Sequence, residues 1–183
     1  MKQGVGKWDL VLQSLRLVGY FMFRVIILSL MLWPVMGMSA ADDYAWNIQF
    51  QEKLIKANAG DAREQFNVGI MYLNGQGTPI DAPRAFEWVK KSADKGYIKA
   101  KFKLGYFYLK GIGVEKNLKK AEALLRETAF KKHPSAQFYM AHLYIKGLYL
   151  DKNYRKAMIW LKRAKKNGYW KAEDEIKRLQ ASL

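Results

Sequence analysis

Gln65-Phe66-Asn67-Val68-Gly69-Ile70-Met71-Tyr72-Leu73-Asn74-Gly75 returns without a gap as Lys101-Phe102-Lys103-Leu104-Gly105-Tyr106-Phe107-Tyr108-Leu109-Lys110-Gly111. It returns again as Gln137-Phe138-Tyr139-Met140-Ala141-His142-Leu143-Tyr144-Ile145-Lys146-Gly147. The aromatic, the aliphatic, the small residue, the Tyr and the Gly keep register at a spacing of 36 residues. A period of that size means a stack of equal supersecondary units rather than a closed globule.

Each unit reads as two antiparallel helices. The apolar stripe around Phe66, Val68, Gly69 and Tyr72 predicts a first helix over 62–74, and its copies over 98–110 and 134–146. Gly69 and Gly105 each cost about 1 kcal/mol in a helix interior, so a neighbouring helix must come close there; Ala141 fills the same slot. Gly75, Gly111 and Gly147 stop these helices in the left-handed conformation, and Gly77 and Gly113 supply a second such turn. Asp81, Asn117 and Asn153 announce the second helix as N-caps. Its buried face reads Ala85, Trp88, Val89 and Ala93, then Ala121, Leu124, Leu125 and Ala129, then Ala157, Trp160, Leu161 and Ala164. Gly96 and Gly168 close it, with Lys132 in that place in the middle unit. One pair cannot bury its own apolar face, so the units must stack. Residues 42–60 form a lone second helix, an N-terminal cap. Residues 61–181 hold the three repeats, and Trp170–Ala181 forms the C-terminal capping helix with acids early and bases late.

Half of the 183 residues are apolar and about a quarter are charged, an ordinary globular composition. There is no cysteine, which excludes disulfides, thiolate metal sites and a cysteine nucleophile. The net charge of +16 is unevenly spread. Residues 42–94 hold 6 Lys/Arg against 8 Asp/Glu, whereas residues 95–183 hold 22 against 7. The basic half points to an anionic partner or surface; lysines solvating the outer helix faces are the alternative.

Residues 1–41 read as a secretory signal peptide. Arg24 precedes the charge-free core Val25–Trp33, and Ser39 and Ala41 occupy the −3 and −1 positions of a cut before Asp42. The stretch before Arg24 is long for a basic leader, and initiation at Met22 gives ordinary proportions. The rival is an uncleaved anchor from about Leu17, but it would hold Arg24 inside the bilayer at a cost of ~2.5–3.5 kcal/mol. The expected location is therefore a bacterial periplasm, with an inner-membrane anchor facing the periplasm as the alternative.

These residues resemble the Sel-one-like repeat (SLR), a relative of the tetratricopeptide repeat. The first unit carries the pattern in Gln65-Phe66, Gly69, Tyr72, Gly75, Gly77, Asp81, Ala85, Trp88, Lys91, Ala93 and Gly96. The second carries it in Ala100, Phe102, Leu104-Gly105, Tyr108, Gly111, Gly113-Val114, Ala121 and Ala129. The third carries it in Ala136-Gln137-Phe138, Tyr144, Gly147, Ala157, Trp160, Ala164 and Gly168. The third departs most: Ala141 and Tyr149 replace Gly, and Leu148-Tyr149-Leu150 makes its loop apolar, which puts the local turn in question. The resemblance implies an all-α fold, a right-handed α/α solenoid of antiparallel helix pairs with three 36-residue repeats and capping helices. It implies a binder of proteins or peptides, used in exported members as an adaptor or regulator.

No Ser/His/Asp spacing, Gly-rich phosphate loop or H-E-x-x-H pattern occurs, so the reading is non-enzymatic, with no catalytic residue, metal or cofactor. His133 reads as a turn residue. His142 has Asp151 and Glu127 as its nearest carboxylates in sequence, too little for a metal site. By analogy with tetratricopeptide geometry, Arg63, Ile70, Asn74, Lys99, Tyr106, Lys110, His142 and Lys146 look inward on the concave face. An aromatic centre with basic edges suits a protein or peptide segment carrying acidic residues. The second reading is a charge-driven binder of phospholipid or acidic glycan through the basic C-terminal half. An export signal counts against nucleic acid. Partner identity and oligomeric state leave no mark in the sequence.

Overall fold

Four short side chains set where the helices begin. The Oδ1 atoms of Asp61, Asp81, Asn117 and Asn153 accept hydrogen bonds from the backbone N–H groups of Glu64, Arg84, Lys120 and Lys156, at 2.8–2.9 Å. Each satisfies a donor that has no partner within its helix, a contribution of about 1 kcal/mol. The structure, a computed structural model, describes residues 40–182; the expected leader and its Met22 start lie outside them, apart from Ala40 and Ala41.

The described residues form eight helices and no strand. They are α1 Ala40–Asn58, α2 Ala62–Asn74, α3 Ala82–Asp94, α4 Ile98–Lys110, α5 Leu118–Phe130, α6 Pro134–Lys146, α7 Tyr154–Lys166 and α8 Ala172–Ala181. α2 to α7 are each 13 residues long and pair as α2/α3, α4/α5 and α6/α7. Each pair packs on the next, and α8 closes on α7. This is an all-α solenoid, and its first helices span the expected ranges. Residues Tyr44–Leu183 make one compact unit with its own core.

The repeated residues explain the pairing. A Cβ at Gly69 would lie 2.7 Å from Val89 Cγ2 and 3.1 Å from the Ala85 carbonyl oxygen, so α2 and α3 meet backbone to backbone. Gly105 is less tight, at 3.1 Å from Leu124 Cβ, and Ala141 is fully buried in the same slot of the third unit. Ala85, Ala121 and Ala157, with Val89, Leu125 and Leu161, form the sealed inner row of the second helices. Ala164 occupies the slot of Ser92 and Thr128, one position before that of Ala93 and Ala129, where α7 carries the exposed Lys165.

The recurring Tyr does three jobs. The carbonyl oxygens of Tyr72, Tyr108 and Tyr144 accept from the N–H of the N-cap residues Asp81, Asn117 and Asn153 at 2.9–3.0 Å, which closes each loop. Their rings carry Arg84, Lys120 and Lys156 of the paired helix at 5.8, 5.2 and 5.6 Å, cation–π contacts of about 0.5–1 kcal/mol at such exposure. Tyr72 and Tyr108 also meet Phe50 and Phe86 edge to face at 5.3 and 5.5 Å. The Phe50 contact gives α1 the role of the second helix of a preceding unit. Trp88 is half-buried beneath Lys91, whose Nζ stands 4.4 Å from its ring, and Trp160 is buried.

Two expectations change. Tyr149 keeps the left-handed turn that its side chain put in question, with φ 63°, and Lys132 does likewise at 61°. Neither is glycine, so packing around each turn outweighs a strain of about 1–2 kcal/mol. What differs in the third loop is its seating. A Cβ on Gly77 or Gly113 would collide with the carbonyl oxygen of Trp46 or Ala82, whereas Tyr149 carries its Cβ and is half exposed. The C-terminal cap is also shorter than Trp170–Ala181: its helix starts at Ala172, leaving Trp170 exposed in the preceding turn.

Candidate functional site

A helix puts residues i, i+4, i+7 and i+11 on one face. In α2 this stripe is Arg63, Asn67, Ile70 and Asn74, opposite the buried Gln65, Val68, Gly69 and Tyr72. The register repeats it as Lys99, Lys103, Tyr106 and Lys110 in α4, and as Ser135, Tyr139, His142 and Lys146 in α6. α8 and its two flanking cap residues add Lys171, Glu175, Arg178 and Ser182 as a fourth column. The eight residues expected from the sequence to look inward occupy this stripe by register. The positions of the stripe that sequence reasoning missed are Ser135, the register equivalent of Arg63 and Lys99, then Asn67, Lys103 and Tyr139, which an i+4 step from those three would have found, and the whole fourth column.

The second and third columns touch where the Tyr106 and Tyr139 rings meet edge to face at 5.3 Å; beside them the buried Phe138 lies 4.5 Å from His142 of the same helix and 4.6 Å from Tyr169. Burial, reinforced by the neighbouring Tyr106 and Tyr169 phenols, pushes Tyr139 up to about 12. Burial also raises Tyr169. Both therefore remain neutral hydroxyls at any physiological pH and can donate or accept hydrogen bonds.

The cations are unevenly paired. Asn67 donates to Glu64 Oε2 at 3.1 Å, and Lys53 reaches the same oxygen at 3.3 Å, so the first column carries the single cation Arg63. In the second, Lys103 Nζ is 5.7 Å from the Tyr106 ring and 5.9 Å from that of Phe107. It is half-buried, and that burial pulls its pKa down. Among the described residues, Lys99, Lys103, Lys110, Lys116 and Lys146 form no ion pair. Lys110, Lys116, His142 and Lys146 stand around a cavity of about 380 Å³ floored by Leu109, Phe138, Leu143 and Leu148.

His142 Nε2 lies 3.6 Å from Glu175 Oε1, a partner from α8 that neither sequence neighbour suggested. Burial pulls its pKa down; Glu175 opposes this, while Lys146 and Lys110 add to it. His133 instead caps α6, its Nδ1 accepting from Ala136 N–H at 3.4 Å, and its ring stacks on Phe102 at 4.5 Å. Among the described residues no group of three or more His, Cys, Asp or Glu is placed to hold a metal ion, and no helix is long and apolar enough to cross a membrane.

The Sel1 repeat family model matches residues 65–97, 98–129 and 134–169, more than half of the chain. The chain is a Sel1-repeat protein. The Sel1-repeat protein of Oxalobacter formigenes superposes with a TM-score of 0.62 at 33% identity, over 64% of this chain and 48% of that one. The antigen c5321 of uropathogenic Escherichia coli, described as protective and as having an SLR fold, superposes with a TM-score of 0.72 at 29% identity, over 75% of this chain and 30% of that one. This Sel1-repeat chain thus spans less than half the length of either solved relative. Among curated proteins there is no match. Sel1 repeats generally mediate protein–protein contacts as non-catalytic scaffolds, and α1 and α8, the caps, fall outside the matched segments.

Proposed function

We propose that this Sel1-repeat solenoid is an exported, non-enzymatic scaffold or adaptor of the bacterial envelope. It captures a protein or peptide segment with acidic residues along the first-helix stripe. The observation that carries this reading is the set of lysines in the second and third columns, unpaired among the described residues, around the Tyr106–Tyr139 contact and the cavity beside His142. Lysines brought together without counter-charge repel one another, and an incoming carboxylate relieves that repulsion while it gains charge-assisted hydrogen bonds. The tyrosines supply contact area at low entropic cost. Export rests on the leader sequence, and fractionation of the tagged chain tests it directly.

The groove is tested by crosslinking in intact cells, with acidic model peptides as defined probes alongside. Lys110→Glu combined with Lys146→Glu should weaken capture at least tenfold, about 1.4 kcal/mol, while far-UV circular dichroism stays unchanged. Recovery of the same crosslinked species at wild-type yield would reject the groove assignment.

A further inference from the structure

A different edge of the solenoid carries its own signature. It is the edge where each second helix turns into the next first helix, at Lys131–His133 and at Asn167–Lys171. Phe130 ends α5 with 66% of its surface exposed, and Trp170 follows α7 with 75% exposed. The register equivalent of Phe130 in the first unit is Asp94, so this aromatic edge belongs to the later units. Between the two later turns lies a cavity of about 360 Å³ lined by Phe130, Lys132, Arg163 and Lys166, with the amides of Gln137 and Asn167.

Two of the cations here are held on rings rather than on carboxylates. Arg163 sits 4.7 Å above Trp160, which meets Phe130 edge to face at 5.4 Å, and Lys171 sits 4.7 Å from the Trp170 ring. Lys132, Arg163, Lys166 and Lys171 form no ion pair among the described residues, although their neighbours Lys131 and Lys165 pair with Glu127 and Glu173.

We propose that this edge docks on an anionic phospholipid surface. Phe130 and Trp170 enter the headgroup layer, and the four cations take lipid phosphates. Indole and phenyl groups favour the level where one side is wet and the other apolar. Cations near them add attraction to anionic lipid. The aromatics stand on separate turns with cations between them, so a protein partner would need carboxylates fixed at each place, whereas mobile lipid headgroups move to the cations. This binding uses a different ligand from the groove and, apart from Lys171 at the head of the fourth column, different residues, so it is tested separately from it.

The test uses a chain starting at Asp42, which keeps the whole compact unit Tyr44–Leu183 and removes the apolar leader as a competing membrane ligand. It is co-sedimented with phosphatidylcholine vesicles with and without phosphatidylglycerol, at low and high salt. Binding is expected only to the anionic vesicles, with a blue shift of tryptophan emission. Phe130→Ala with Trp170→Ala should cut partition at least about tenfold at low salt, because the interfacial anchors are lost. Lys132→Glu with Lys166→Glu should do the same, whereas Lys110→Glu with Lys146→Glu should change it by less than about twofold. Both aromatics are exposed, so the alanine variant removes little core, and circular dichroism checks its fold. Equal binding to neutral vesicles overturns the proposal. So does wild-type binding by the alanine variant, which would leave only a coulombic contact. Absence of vesicle binding also overturns it and would hand the edge to a protein partner.

Discussion

Gln65 and Gln137 occupy the same register position two repeats apart, and their surroundings differ by one side chain. Both are buried, and both donate from Nε2 to a carbonyl of the preceding helix, Ala57 at 3.1 Å and Ala129 at 3.0 Å. Gln137 Oε1 also accepts from Asn167 Nδ2 at 2.8 Å, whereas Gln65 Oε1 is buried with no partner. The equivalent of Asn167 in the first unit is Lys95, whose Nζ donates instead to the Gly60 carbonyl. Lys95 and Asn167 share a backbone conformation, at φ −80°, ψ 3° and φ −91°, ψ 13°. Lys95→Asn should therefore place an amide donor on the orphan oxygen and stabilise the fold by about 1 kcal/mol. An increase in the urea midpoint with an unchanged denaturant slope is the expected result. An unaltered midpoint would mean that Gln65 already has a partner, such as a trapped water. The middle unit solves the position differently, with Lys101 reaching Glu127 Oε1 at 2.7 Å.

At the level of the helix pair, distances rank the glycine slots. Gly69→Ala gains helix propensity of about 1 kcal/mol, but its methyl meets Val89 and the Ala85 carbonyl, and overpacking of that kind costs ~1–3 kcal/mol. Gly105→Ala meets only side-chain carbons at 3.1 and 3.3 Å and a carbonyl at 3.4 Å. Thermal unfolding of the two variants should place Gly69→Ala below Gly105→Ala; the reverse order would refute the ranking. The helices themselves were readable, because the cap at Asp81, Asn117 and Asn153 and the small residue at Gly69, Gly105 and Ala141 are forced by backbone chemistry common to every unit. The stripe was harder to read for the opposite reason. Asn67, Lys103 and Tyr139 share a position and no chemistry, since nothing in the packing constrains a face turned away from the paired helix. Contacts that cross between elements were hidden as well. His142 meets Glu175 from another helix, and no periodicity signals that pairing. Tyr149 misled because a glycine slot can be filled by another residue when neighbours hold the turn.

Over the whole molecule the basic charge gathers in residues 95–183, where like charges crowd the second and third units. Salt screens exposed charges over about 10 Å at 0.1 M, so moderate salt should raise the urea midpoint by relieving self-repulsion. Capture of an acidic segment should weaken over the same range. Parallel measurement of both on one preparation checks this; a midpoint that falls with salt would contradict it. The same gradient has a further effect. The first column carries Arg63 beside Asn67 and Asn74, the second three lysines, the third Lys146, and Glu175 stands in the last between Lys171 and Arg178. A groove with one charge from end to end could hold a bound chain either way round. This one has a head and a tail, so an asymmetric guest is sorted by direction as well as by composition.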